Sequence, residues 1–544
     1  MKKILCALLA AGMLFSLASC SGGTASSGGA SQGGSASGEA GGESGGEPVQ
    51  FSATFLQNEW HGDPNDMEIM QRLEEEANVD VQWQVYSNAT WPDKKNLMIS
   101  SGEVPDVFYM NAVNADDINN YLDDGLFMDL TDLIPEYAPR LNQVLEDMPQ
   151  YKAVCVNQTD GRIYSIGRAA EREVQYTSPL MYINKTWLDK LGLDMPKTTD
   201  DFYNVMKAFK EQDPNGNGKQ DEIPYTFHYN VNVPDDAYSY HALFGAFGYT
   251  DSAGGVAPHF IKIRETGEIV YVPETEEYKN AITFYSKMVQ EGLWDAEGFT
   301  TQDTSVMNAK GNNEEMILGA FTAFDSTFVV PADRLDDYVI LPPLVGPDGD
   351  QVWTYNGASN GNVNGTQFVM TTKAKGKEEA IMRWLDAHFD PETSIELFLG
   401  PVGVTLERTE SGMLDYVDTP EGMSYSEFRY GNCPVHVPCV IKADDWGKTI
   451  QVMDEDINKL SIAEEYYEPY ETQENLFLLP NQEESDYFLQ EGQDIKDYVN
   501  KMQVTWLTKG GIENEWDTYL AELDKLGLET YKQTVQTIVD RMAD

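Results

Sequence analysis

The chain reads as an α/β protein of more than one lobe with a helical carboxy-terminal region, and three features predict it. Apolar residues alternate at Phe51, Ala53 and Phe55, and again at Val79, Val81, Trp83 and Val85, the two-residue period of a strand. Between these runs Met70, Leu73 and Ala77 recur at helical spacing. The chain has 544 residues, and a single core stops growing near about 250–300 residues, so more than one lobe is expected.

The amino end stands apart from this body. Met1-Lys2-Lys3 is a short basic stretch, and the apolar run Ile4 to Leu17 is too short to span a bilayer comfortably. It ends in Leu17-Ala18-Ser19-Cys20-Ser21, small residues before a cysteine, as in a bacterial lipobox. Residues 1–19 are thus expected to be a lipoprotein signal peptide, with cleavage before Cys20 and lipid of the palmitate kind on the mature amino-terminal cysteine. The alternative is an ordinary secretory signal with an incidental cysteine. Residues 20–47 hold that cysteine and a tether dominated by Gly and Ser, which cannot bury a core. Acyl chains would anchor the protein to a membrane at about 0.8 kcal/mol per buried CH₂.

The folded body begins near Pro48. Strands are expected at about 50–56, 79–85 and 104–109, with helices at about 65–77 and 92–101 between them. Strand–helix–strand–helix–strand with short links predicts a right-handed, largely parallel sheet. Thr198-x-x-Asp201 opens a helix as a capping box. Tyr278, Ala281, Ile282, Tyr285, Met288 and Val289 form an apolar stripe that stops at Gly292. A second stripe, Ile381, Trp384, Leu385 and His388, makes His388 a core histidine rather than a ligand. Trp516, Leu520 and Leu523 mark the closing helices, with Gly527 as a breaker.

Composition excludes several classes. Lys+Arg 37 against Asp+Glu 90 gives a net charge of −53, and loss of Lys2 and Lys3 makes it two units more negative. A polyanion would meet repulsion, so a nucleic-acid partner is excluded. At 41% hydrophobic the chain is not globally disordered. Past Cys20 only Cys155, Cys433 and Cys439 remain, which rules out a disulfide framework. Cys433-Pro-Val-His436-Val-Pro-Cys439 lacks the paired spacing of a zinc site, leaving buried thiols or one local disulfide.

In open parallel sheets, ligands bind beyond the carboxyl ends of the strands. The loops there carry Asn58-Glu59-Trp60-His61-Gly62-Asp63, Ser87-Asn88-Ala89-Thr90-Trp91 and Tyr109-Met110-Asn111-Ala112. Rings beside carboxylates and amides suit a sugar, with flat faces for its C–H surfaces and polar groups for its hydroxyls. A second motif runs from Asp213 to Glu222. Asp213, Asn215 and Asn217 fall at positions 1, 3 and 5, Gly218 at 6, the Lys219 carbonyl at 7 and Asp221 at 9 of a calcium loop. Position 12 is Pro224, so Glu222 would close the shell, and the expected cofactor is a structural calcium ion. The alternative is a Gly/Asn-rich hairpin without metal. No G-x-S-x-G, Walker A or H-E-x-x-H occurs, so no catalytic residue is assigned.

Taken in order, Ser101-Gly-Glu-Val-Pro-Asp-Val-Phe108, Asp160-Gly-Arg-Ile-Tyr-Ser-Ile166, Tyr182-Ile-Asn-Lys-Thr-Trp-Leu-Asp-Lys-Leu-Gly192, the calcium loop and Gly292-Leu-Trp-Asp-Ala-Glu-Gly-Phe299 resemble one family. It is that of extracellular solute-binding lipoproteins of carbohydrate ABC importers, in the LplA-like and alginate-binding subgroup. The resemblance implies a two-lobed periplasmic-binding-protein-like fold with hinge segments, a carbohydrate ligand in the cleft, ABC permease subunits as partners, and a monomer on the extracellular face of the cell membrane. It sets 48–168 and 326–373 in the first lobe, and 169–325 and 374–544 in the second. It lines the cleft with Glu59, Trp60, His61, Tyr109, Asn111, Arg168, Asp325, Trp353 and Tyr355, and it places calcium on Asp213, Asn215, Asn217, Lys219, Asp221 and Glu222. Two other classes share the compartment: a lipid-anchored polysaccharide-degrading enzyme and a surface adhesion lipoprotein.

Overall fold

The alternation at Phe51, Ala53 and Phe55 builds β1 (Val49–Gln57), and these three side chains are at most 1% exposed. In the computed structural model the described residues are 46–58, 60–88, 90–170, 179–229, 236–300, 304–355, 363–421, 423–453, 457 and 461–543. The signal segment, Cys20 and nearly all of the tether lie outside them.

The first sheet has six strands in the order β15-β4-β12-β3-β1-β2. Besides β1 these are β2 (Val79–Ser87), β3 (Val107–Tyr109), β4 (Ser165–Ala170), β12 (Val363–Met370) and β15 (Val440–Ile441). As expected, β1 runs parallel to β2 and β3. The sheet as a whole is mixed, because β12 returns antiparallel between β3 and β4. Two further sheets form the second half. One joins β10 (Tyr338–Ile340), β5 (Leu180–Asn184), β9 (Leu318–Ala323) and β6 (Ile223–Thr226), in that order. The other joins β11 (Trp353–Tyr355), β16 (Glu471–Asn475), β7 (Phe260–Ile263) and β8 (Ile269–Tyr271). A hairpin, β13 (Leu406–Arg408) and β14 (Leu414–Tyr416), stands alone.

Helices cover both halves. Those of the first are α1 (Glu68–Ala77), α2 (Trp91–Ser101), α3 (Ala115–Asn120), α4 (Leu133–Tyr137), α5 (Pro139–Asp147), α6 (Pro149–Cys155), α11 (Glu378–Ala387), α12 (Pro391–Leu399) and α13 (Tyr425–Asn432). The second has α7 (Lys185–Leu191), α8 (Thr199–Glu211), α9 (Glu276–Gln290) and α10 (Ser305–Gly311). It ends with α14 (Gln482–Lys509), α15 (Ile512–Lys525) and α16 (Leu528–Ala543). The capping box opens α8 as expected: the Thr198 hydroxyl accepts from Asp201 N, and the Asp201 carboxylate from Thr198 N. The stripe from Tyr278 to Val289 is buried on α9.

Two hydrophobic cores result, and they redraw the expected boundaries. Val329, Tyr338, Leu341 and Trp353 pack into the second core, whereas Ile381, Trp384, Ile395, Leu406, Ile441 and Ile450 pack into the first. The chain changes core after Ala170, after Tyr355 and after Val452. Residues 326–355 therefore depart from the first-lobe expectation, and 378–450 from the second-lobe one. Helical periodicity reveals that a segment such as 376–389 has an apolar face. It does not reveal which sheet that face covers. Trp384 covers the first, with ring centroids 5.5 Å from Phe51 and 5.2 Å from Tyr109.

Candidate functional site

Because β1, β2 and β3 are parallel, their carboxyl ends share one edge of the first sheet. The loop after β1 is built by short polar contacts. Asn58 Oδ1 accepts from the main-chain N–H of Trp60 (2.9 Å) and of His61 (3.1 Å). Gln57 Nε2 donates to the His61 and Gly62 carbonyls at 2.8 and 3.3 Å. This turn leaves Trp60 40% exposed while burying His61. Glycine at 62 is required by close approach: a Cβ there would come within 2.5 Å of the Gly431 carbonyl. The loop thereby lies on α13, with Gly62 N donating to Tyr430 O at 3.4 Å.

A wall of rings and cations results. The Trp60 and His61 rings stand edge-on to Tyr430, at 6.0 and 4.7 Å between centroids. Arg168, within β4, donates from one terminal nitrogen to Val435 O (3.0 Å) and to His436 Nδ1 (3.2 Å). His436 Nε2 lies 2.9 Å from the Tyr430 hydroxyl. His436 is exposed. Desolvation, with Arg168, His61 and Arg429 nearby, pulls its pKa down to about 3. The ring is therefore neutral near pH 7. Its Nδ1 accepts from Arg168, so its Nε2–H donates to Tyr430, and the Tyr430 O–H remains a donor for something else. Arg429 and Arg168 lie over the Phe398 ring at 5.3 and 5.2 Å, and Arg429 also lies over Tyr430 at 5.2 Å. Burial holds His61 below the usual imidazole range, against its hydrogen bond to Pro434 O.

The expected site residues separate into groups. Trp60, His61 and Arg168 meet in this wall, whereas Glu59 lies outside the described residues. Asn111 is exposed at the same edge, its side-chain oxygen accepting from Thr366 Oγ1 at 2.6 Å. Tyr109 is a core residue: it is fully buried, and its hydroxyl meets His388 Nε2 at 2.7 Å. Trp353 is 1% exposed, packed on Tyr467 and donating to Pro179 O, so it packs the second lobe rather than offering a stacking face. Tyr355 lies under the Arg264 guanidinium at 4.0 Å. Asp325 caps the turn after β9, accepting from Thr327 N and Oγ1. Phe398, Arg429 and Tyr430 escape the sequence reading, and His436 enters it only within the Cys433–Cys439 motif, whose spacing does not suit a zinc site. The two cysteines of that motif are free and buried, with burial pushing both thiols up to about 12.

The loop at 213–222 gathers oxygen-bearing side chains. The Asp213 carboxylate accepts from the main-chain N–H of Gly216, Asn217 and Gly218, and Gly216 and Gly218 have φ of 77° and 75°. Asp221 accepts from the Asn215 and Asn217 amides. Glu222 Oε1 is buried without a hydrogen-bond partner, and burial, with Asp213 and Asp221 close by, raises its pKa. Among the described residues no group of three or more His, Cys, Asp or Glu could by itself hold a metal ion. The loop's three carboxylates, two amide oxygens and one main-chain carbonyl form an all-oxygen set that suits a hard divalent cation. Lys219 Nζ pairs with Glu315 at 3.0 Å.

Comparison with known proteins fits this architecture. The family model of bacterial extracellular solute-binding proteins matches residues 62–393. The fructooligosaccharide ABC transporter substrate-binding protein FusA of Streptococcus pneumoniae serotype 4 is 31% identical over 492 residues, 88% of each chain. The solved structure of S. pneumoniae FusA in complex with kestose has a TM-score of 0.78 at 30% identity, covering 91% of this chain and 99% of that one. A FusA EF-hand mutant in complex with fructo-nystose has a TM-score of 0.79 at 29% identity, with the same coverage. Among the described residues no helix is long and apolar enough to cross a membrane. The chain belongs to the bacterial extracellular solute-binding protein family, and it is a carbohydrate-binding component of an ABC importer rather than an enzyme.

Proposed function

We propose that the chain captures a neutral oligosaccharide, of the fructooligosaccharide kind that its relative FusA is named for, on the wall of Trp60, Tyr430, His436 and Arg168. The observation that carries this reading is an exposed indole edge-on to a tyrosine ring whose hydroxyl lies 2.9 Å from His436 Nε2. The indole face takes the C–H surface of a sugar ring, and the hydroxyl and cations take its oxygens. A net charge of −53 disfavours a polyuronate. Contacts from both lobes would favour a closed state, which then docks on the permease. Lipid on Cys20 and the tether of 20–47 would hold the protein, as a monomer, at the outer face of the cell membrane. Asp213, Asn215, Asn217, the Lys219 carbonyl, Asp221 and Glu222 would hold a calcium ion that fixes the loop; the EF-hand of the relative supports this reading.

Calorimetric titration with kestose tests the wall. Trp60→Ala should raise Kd about tenfold or more, about 1.4 kcal/mol. A variant that binds kestose as the wild type does would remove the wall from the site.

A further inference from the structure

An imidazole with an ordinary pKa of about 6.5 gains a second proton in mild acid, and when neutral it carries its one proton on either ring nitrogen. His436 keeps neither freedom. It follows Val435, whose φ of +59° is unusual for a β-branched residue, and His436 N donates to Pro434 O at 2.6 Å, closing a γ-turn. The Val435 carbonyl in this turn accepts from Arg168 at 3.0 Å, and the same Arg168 nitrogen lies 3.2 Å from His436 Nδ1. A guanidinium only donates, so Nδ1 is an acceptor and the ring proton sits on Nε2. Nε2 faces the Tyr430 hydroxyl at 2.9 Å. A proton on Nδ1 would instead set two donors against each other.

The Tyr430 oxygen accepts from Nε2–H, and its own O–H has no acceptor among the described residues. The surroundings hold this arrangement in one state. Among the described residues, the charged and titratable groups that face His436 are Arg168 of β4, Arg429 and Tyr430 of α13, and His61 of the loop after β1, with no carboxylate among them. Desolvation and the two guanidiniums hold the pKa of the ring down to about 3, so it stays neutral through the mildly acidic range. The Arg429 guanidinium lies over the Tyr430 ring at 5.2 Å, which adds further N–H donors to this face.

We propose that Arg168 and His436 are positioning residues that lock the Tyr430 hydroxyl as a hydrogen-bond donor toward the sugar, so that the wall selects ligand oxygens acting as acceptors and does so independently of pH. The part that concerns the sugar rests on the carbohydrate reading above. Loss of Arg168 opens the lock in one direction. A neutral His436 is then free to carry its proton on Nδ1, and its Nε2 draws the Tyr430 O–H away from the ligand. A protonated ring carries protons on both nitrogens, so acid restores Nε2–H and returns the hydroxyl to the sugar.

The experiment reads Arg168→Met in two ways. Long-range proton–nitrogen NMR of the histidine side chains, with His436→Gln to assign the signal, should show the sugar-free wild type as the Nε2–H tautomer, unchanged from about pH 7.5 to about pH 5. Arg168→Met should show a mixture of tautomers that titrates in this range, and Arg168→Lys, which keeps a donor for Nδ1, should keep the wild-type tautomer. In calorimetric titration at about pH 7.5, Arg168→Met should raise the Kd for kestose about fivefold, and its ratio to the wild-type Kd should shrink as the pH falls to about 5. With Tyr430→Phe in both proteins that ratio should no longer change with pH. A wild-type ring in the Nδ1–H form would overturn the lock without any variant, as would a Kd ratio flat across the range. A wild-type protein that ignores kestose would remove the fructooligosaccharide reading, while the sugar-free tautomer would still decide the lock.

Discussion

His388 illustrates how one buried side chain ties structure to pH. It is fully buried, its Nδ1 lies 2.9 Å from Trp384 O, and its Nε2 meets the Tyr109 hydroxyl. Desolvation pulls its pKa down to about 4 from a reference of 6.5, against the bond to Trp384. The unfolded chain then binds the proton more readily than the folded one, so this group weakens the fold as pH falls from 6.5 toward 4. The expected loss is about 2 kcal/mol between pH 6.5 and 5, read by urea unfolding. His388→Gln should flatten that slope, and an unchanged slope would refute the assignment. The role of His388 was legible because the residue falls on the apolar stripe of its helix. Tyr109 was misread because a strand end faces both the edge and the core, and alternation alone does not separate them.

At the scale of elements, the loop after α8 is the clearest case of local sequence deciding local structure. Asp213, Asn215 and Asn217 bind main-chain N–H groups within a few residues, and Gly216 and Gly218 supply the positive φ values the turns need. Asp213 and Asp221 repel the half-buried Glu222 carboxylate, and a divalent cation would relieve that repulsion. Removing calcium with a chelator should therefore lower the melting temperature by about 3 °C or more. Glu222→Gln should abolish that response, and a melting curve indifferent to calcium would refute the metal site. The wall around Trp60 is the contrary case. Its rings come from the loop after β1, from α12, and from α13 and the segment that follows it, so no local pattern joins Trp60 to Tyr430.

For the whole molecule, the proposed capture links binding to motion. Two cores joined by chain that passes between them three times would let the lobe angle change, and a ligand held by both lobes would stabilise closure. Saturating kestose should then reduce the radius of gyration in small-angle scattering. A sugar that binds without changing the radius would refute closure.

The sequence by itself determined that this is an α/β protein, that helices and strands start and stop where their caps and glycines fall, and which family it resembles. These follow from interactions spanning a few residues, or from motifs that keep their order along the chain. Only the tertiary structure decided which lobe owns 326–355 and 378–450, that Tyr109 and Trp353 serve the cores, and that Arg168, His436 and Tyr430 form one relay. Each of those depends on which apolar face meets which sheet across hundreds of residues, and periodicity carries no record of the partner.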